Sequence, residues 1–146
     1  KIGISDQILF NPGRLTDEDR QIMRQHVNLG YDMLQHIPFF HDAMPVVLHH
    51  HENYDGTGFP QGLRGEDIPL GARIFHVVDV YDAMISERPY KPAWPFEKAL
   101  TTIKQEADRY DPKVVQALEQ LTPTEADWIR QLQDFTPATR EILGRG

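Results

Sequence analysis

No stretch constrains this chain more than His50-His51-Glu52-Asn53-Tyr54-Asp55-Gly56-Thr57-Gly58-Phe59-Pro60. Closely spaced glycines followed by a proline neither continue a helix nor pair as a strand, so the chain must leave regular structure there. The residues before it read as a helix. Two adjacent histidines and a carboxylate therefore fall at a helix end, beside a loop whose glycines let backbone approach a substrate closely. Imidazoles and carboxylates are the nitrogen and oxygen ligands that a catalytic metal centre needs.

At 146 residues the chain is one domain's worth, long enough for a real hydrophobic core. It has no cysteine, which excludes disulfides and thiolate metal sites. No apolar run approaches the ~18 residues of a membrane span, and the opening residues are not of the signal-peptide type, so cytoplasmic residence is the expectation. A net charge of −7 argues against a broad basic surface for a nucleic acid polymer. It leaves room for a small anion held by a local cation or a metal.

The spacing predicts a helix over residues 16–37, capped by Thr16, with Asp17, Glu18 and Asp19 at the positive end of its dipole. Its apolar stripe is Ile22, Met23, Val27, Met33, Leu34 and Ile37, with His26 on the same side and Arg24 on the other. Pro38 ends it. A second helix, from 42 or 45 to 54, places Val47, His50, His51 and Tyr54 on one face, with His49 pointing elsewhere. Neighbouring residues on a helix diverge by ~100°, so His50 and His51 suit two ions side by side better than one. Residues 55–70 exceed the usual structureless loop, and Phe59, Leu63 and Ile68 are expected to pack it on the body.

Residues 72–86 are the most apolar segment and read as a buried helix with Asp79 in its middle. A buried carboxylate must be paired, hydrogen-bonded or metal-bound. Arg88-Pro89-Tyr90-Lys91-Pro92 follows as a stiff basic turn able to hold phosphate, the arginine as a fork and the lysine as a point charge. Three packing helices are expected over residues 96–107, 112–121 and 124–135. Taken singly, His26 also reads as a hydrogen-bonded core histidine, and the three consecutive histidines as a solvated cluster. Taken together, His26, the His50/His51 pair and Asp79 come from three helices and compose a nitrogen- and oxygen-ligated site. A two-ion site of that kind holds its metals ~3.5–4 Å apart and activates water for attack at phosphorus, which points to phosphate-ester hydrolysis.

The stretch 50–60 also resembles the HHExxDGxGYP signature of the HD-GYP domain, a branch of the HD metal phosphohydrolases. The resemblance continues through Gly62-Leu63-Arg64-Gly65, Asp79-Val80-Tyr81-Asp82-Ala83 and Arg88-Pro89-Tyr90-Lys91. Upstream it takes in Pro12-Gly13-Arg14-Leu15-Thr16 and Met23-Arg24-Gln25-His26, so that it covers residues 1 to about 118. It implies an all-α fold, an HD-domain helical bundle with a glycine-rich loop after the metal-binding helix. It further implies a cytoplasmic bacterial phosphodiesterase that opens cyclic di-GMP to linear pGpG, in some members to GMP, with two or three divalent ions, commonly iron or manganese. Carried over position by position, His26, His50, His51 and Asp79 would ligate metal, and Arg88 and Lys91 would contact a substrate phosphate. Gly58, Phe59 and Pro60 would form the loop near the substrate and a protein partner of the diguanylate cyclase type. A homodimer is compatible with the same picture.

Two departures qualify the resemblance. Phe59 replaces the tyrosine of GYP, keeping the ring and losing a hydroxyl. Lys1 stands where the final lysine of the family's His-Asp-x-Gly-Lys run would fall, so the His-Asp pair and an earlier ligand-bearing helix are missing from what is present. Residues 1–121 are accordingly expected to be an HD-GYP domain without its His-Asp segment, and 122–146 its C-terminal helical extension. A segment of a longer chain and a degenerate member both account for this start. Four carried-over ligands do not fill two six-coordinate ions. If the front exists, Lys1 would support the leaving group or the attacking water. The alternative to the enzyme is a non-catalytic module that binds nucleotide or a partner through the loop at Gly58 to Pro60.

Overall fold

The structure, a computed structural model, describes residues 3–9, 11, 13–87 and 92–120. Lys1, Arg88, Lys91 and the helix expected over 124–135 lie outside them. Among the described residues the chain is helical throughout, as expected: α1 (Asp6–Leu9), α2 (Asp17–Arg24), α3 (His26–Leu34), α4 (Met44–His49), α5 (Leu70–Ile85), α6 (Phe96–Gln105) and α7 (Pro112–Glu119). The chain divides into two compact units between Val115 and Gln116, and the histidines and the glycine-rich loop belong to the first. No helix among the described residues is long and apolar enough to cross a membrane.

Thr16 caps α2 through a capping box, its hydroxyl accepting from the Asp19 amide while the Asp19 carboxylate accepts from the Thr16 amide. The single helix expected over 16–37 is two. At the junction the Gln25 amide bonds the Ile22 carbonyl three residues back, and the His26 ring takes the Met23 carbonyl. A side chain inserted into the helical ladder bends it there. Helix α3 closes at Leu34, and Pro38 opens a tight 3-10 turn, Pro38–Ala43, that leads into α4.

Helix α4 ends at His49, short of the expected residue 54. The side chains of Glu52 and Asn53 are engaged by the loop that follows, which draws the backbone out of the helix. Against α4 lies α5. A Cβ on Gly71 would stand 2.9 Å from Val46 Cγ2, so the missing side chain is what lets the two helices close up. Helix α5, expected to be a buried helix, is buried on one side only. It packs on α4 and α6 through Ala72, His76 and Val77. These neighbours occupy one side, and Ile74, Phe75 and Val78 on the other are 43, 47 and 49 % exposed.

The core gathers Val27, Ile68, Val77, Ala99, Ile103 and Tyr110. Burying a Val or Ile side chain contributes about 1.5–3 kcal/mol, and for Ile68 that contribution seats the long loop, as expected for that position. Arg73 on α5 pairs with the buried Asp111, whose other oxygen accepts from the Lys113 amide at 2.8 Å and caps α7.

Candidate metal centre

His26 opens α3, His50 follows the last residue of α4, and His51 is in the turn beyond. Each offers a ring nitrogen, and the three atoms lie within 4.8 Å of one another, close enough to hold one ion. Ring centroids are 5.6 Å apart for His26 and His50, 5.0 Å for His26 and His51, and 4.1 Å for His50 and His51. The His50 backbone keeps a helical conformation at the end of α4, and the two adjacent rings stand tilted by 41° to one another.

The histidines are also oriented for ligation. The His26 Nδ1–H donates to the Met23 carbonyl, and the His50 Nδ1–H to the Val47 carbonyl at 2.9 Å. A carbonyl only accepts, so in each neutral ring Nε2 carries the lone pair. The His51 Nε2 lies 3.2 Å from the His26 Nε2. Backbone carbonyls that hold Nδ1–H and turn Nε2 inward are the usual outer support of metal-bound imidazole. The donor set fits a divalent metal.

His26, His50 and His51 line an open cavity of about 400 Å³ together with Phe75 and Asp79 of α5. The sequence predicts a buried Asp79 in need of a partner. It is exposed instead, on the rim, and does not belong to the three-histidine group. The exposed side of α5 explains this: Asp79 shares it with Phe75, whose ring meets His50 edge-on at 5.5 Å.

Sequence reasoning missed two buried polar residues. His76 donates from Nδ1 to the His50 carbonyl at 3.0 Å and stacks on Tyr110 at 5.3 Å. Burial pushes its pKa down, so the ring is neutral beside the cluster. The other is Glu52, which the sequence offered as a carboxylate next to the histidines and which faces away from them. Its oxygens accept from the Gln61 amide at 2.7 Å and the Leu63 amide at 3.1 Å, and only 1 % of the residue is exposed. The buried His49 Nδ1 lies 3.8 Å from the same carboxylate, away from the cluster as expected. Residue spacing carries no signal for bonds this distant along the chain.

Glu52 thereby ties down the loop carrying Gly58, Phe59 and Pro60. The Asn53 side-chain Nδ2 donates to the Thr57 hydroxyl at 2.9 Å, and the Phe59 backbone amide donates to the His51 carbonyl at 3.2 Å. A Cβ on Gly58 would sit 2.2 Å from the Asn53 nitrogen, so only glycine allows the loop to fold back this closely. The Phe59 ring rests on His51, 4.9 Å away and tilted 30°, and the Arg24 guanidinium lies over the same ring at 5.0 Å from the centroid. The arrangement can hold a cation on imidazole nitrogen, admit an anionic ester from the open side, and present a fixed loop beside it.

A family model described as HD domain matches residues 3–114. Among curated proteins, the chain is 45 % identical over 121 residues to the cyclic di-GMP phosphodiesterase response regulator RpfG of Xanthomonas campestris, covering 81 % of this chain and 32 % of that protein. It is 40 % identical over 137 residues to a cyclic di-GMP phosphodiesterase of Thermotoga maritima, covering 92 % and 37 %. The chain thus spans about a third of the length of these relatives. Among solved structures, Bd1817, an HDG"Y"P protein from Bdellovibrio bacteriovorus, superposes with a TM-score of 0.58 at 22 % identity, over 71 % of this chain and 33 % of that one, a likeness of fold.

Proposed function

The chain belongs to the HD-domain family, and on that premise we propose that it is the hydrolytic domain of a cytoplasmic bacterial phosphodiesterase acting on cyclic di-GMP. The observation that carries the reading is the group of three imidazoles, two of them with Nδ1 tied to backbone carbonyls, beside an open cavity. The names of the two relatives support the substrate.

In this reading His26, His50 and His51 hold divalent metal, with Asp79 contributing from the cavity rim. Iron or manganese suits such a donor set. Bound metal would supply a Lewis acid for the phosphoryl oxygen and lower the pKa of coordinated water. The residues of the chain do the rest. Arg88 and Lys91 neutralise substrate phosphate, and Lys1 supports the leaving group or the attacking water. The loop at Gly58, Phe59 and Pro60 confines the nucleotide. Water adds to phosphorus, one ring ester breaks, and linear pGpG results, with GMP if a second ester is cut. Four ligands do not complete two six-coordinate ions, so the reading of two or three ions needs ligands beyond these four. A diguanylate cyclase type partner at the Gly58–Pro60 loop, and a homodimer, belong to the same proposal.

The test is anaerobic turnover of cyclic di-GMP by the full-length protein loaded with iron or manganese. Release of pGpG or GMP supports the reading. The relatives named as cyclic di-GMP phosphodiesterases favour the enzyme over the alternative, a module that binds nucleotide without cleaving it. Metal and nucleotide bound with no product would support that alternative and overturn the enzyme.

A further inference from the structure

We propose that Arg24 is a substrate-binding residue, stacked on Phe59 at the edge of the histidine site so that it takes the phosphate not held at the metal centre. The inference rests on the reading of the substrate as a cyclic dinucleotide, which carries two phosphodiesters.

Three observations converge on it. Arg24 is exposed in the last turn of α2, two residues before His26, and has no carboxylate partner among the described residues. The neighbouring Arg20, on the same helix, is by contrast paired with Asp17 at 2.8 Å. Second, the Arg24 guanidinium lies over the Phe59 ring, which in turn lies on His51. An aromatic face attracts the cation and leaves the in-plane N–H donors of the guanidinium directed outward, where they can grip phosphate as a fork. Third, the platform is fixed. The Phe59 amide is bonded to the His51 carbonyl, Glu52 holds the two amides beyond Pro60, and Gly58 is backed against Asn53. The position of Arg24 relative to the histidines is thus set by a ring anchored to one of them, which a surface arginine chosen for solubility would not require.

The geometry also divides the labour. In this division a phosphate at the histidine cluster is served by metal, and Arg24, over the Phe59 ring that rests on His51, serves the other. A substrate with one phosphodiester has no second anion to offer Arg24, whereas a cyclic dinucleotide does.

The experiment compares the metal-loaded full-length protein with Arg24→Ala and Arg24→Lys, measuring bound metal and steady-state kinetics on cyclic di-GMP and on bis(p-nitrophenyl) phosphate. Losing one charge-assisted contact to phosphate should raise KM for cyclic di-GMP about tenfold in Arg24→Ala. Arg24→Lys should recover most of that loss, with metal content and kinetics on the small diester unchanged in both. An unchanged KM for cyclic di-GMP, or an equal loss on both substrates, overturns the proposal. If the parent protein cleaves the small diester and not cyclic di-GMP, the reading of the substrate fails by itself. Arg24 is then judged by inhibition of the small-diester reaction with inorganic diphosphate: an inhibition constant about tenfold weaker in Arg24→Ala supports the anion site, and an unchanged one overturns it.

Discussion

The Phe59 ring lies against the His51 ring at 4.9 Å and 30°, and the Phe59 amide donates to the His51 carbonyl. One residue of the cluster and the tip of the glycine-rich loop are therefore a single rigid piece, coupled through both ring and backbone. A hydroxyl added at the para position leaves that coupling intact.

Phe59→Tyr should accordingly leave metal content unchanged and alter kcat/KM by no more than about tenfold, the worth of one neutral hydrogen bond. Metal analysis with steady-state kinetics checks this. Loss of metal in Phe59→Tyr would mean that the ring position is not set by the contact with His51.

Glu52 separates a clamp from a ligand. Glu52→Ala leaves the Gln61 and Leu63 backbone amides without their buried acceptor and should cost about 1–3 kcal/mol of stability, with Glu52→Gln losing less. Below its lowered melting temperature Glu52→Gln should still bind metal in full. A variant that melts normally but has lost its metal would make Glu52 a ligand after all.

What could be read from the sequence, and what could not, divides by distance along the chain. The Thr16 cap, the helix over 70–85 and the Ala99/Ile103 face of α6 were legible because caps and periodicity are local. His26, His50, His51 and Asp79 could be singled out from the sequence, and all four line one cavity. Their geometry was not legible, because the end of α4 is set by Glu52 bonding amides nine and eleven residues ahead. His76 hid in an apolar run, where nothing local marks its bond to the His50 carbonyl. The exposure of Asp79 depends on which side of α5 its neighbours cover, which no residue of α5 encodes.

The Arg73–Asp111 pair should be among the costliest single losses in the fold. Asp111→Ala strips a partly buried guanidinium of its partner and removes the α7 cap, and should destabilise by about 3–5 kcal/mol. Asp111→Asn, which keeps a capping oxygen, should cost about 1 kcal/mol less. Denaturant unfolding measures both. Equal costs would remove the cap from the account.

Asp55 makes the loop sensitive to acid. The Thr57 hydroxyl and amide donate to its carboxylate and hold its pKa below the usual carboxylate value of 3.8. A pKa depressed in the folded state means stability present above the unfolded value and lost as pH falls through the folded one. The Thr57 amide resonance should therefore titrate with a midpoint below 3.8, and that step should vanish in Asp55→Ala. A midpoint above that value would contradict the hydrogen bonds.

The most direct measurement is the metal content of the full-length protein purified with iron or manganese, alongside His50→Ala, Asp79→Ala and Glu52→Gln, each with a helix-content check by circular dichroism. The account predicts that His50→Ala loses metal and turnover, Asp79→Ala loses turnover with part of its metal, and Glu52→Gln keeps its metal, all three with native helix content. Full metal and activity in both His50→Ala and Asp79→Ala would contradict it.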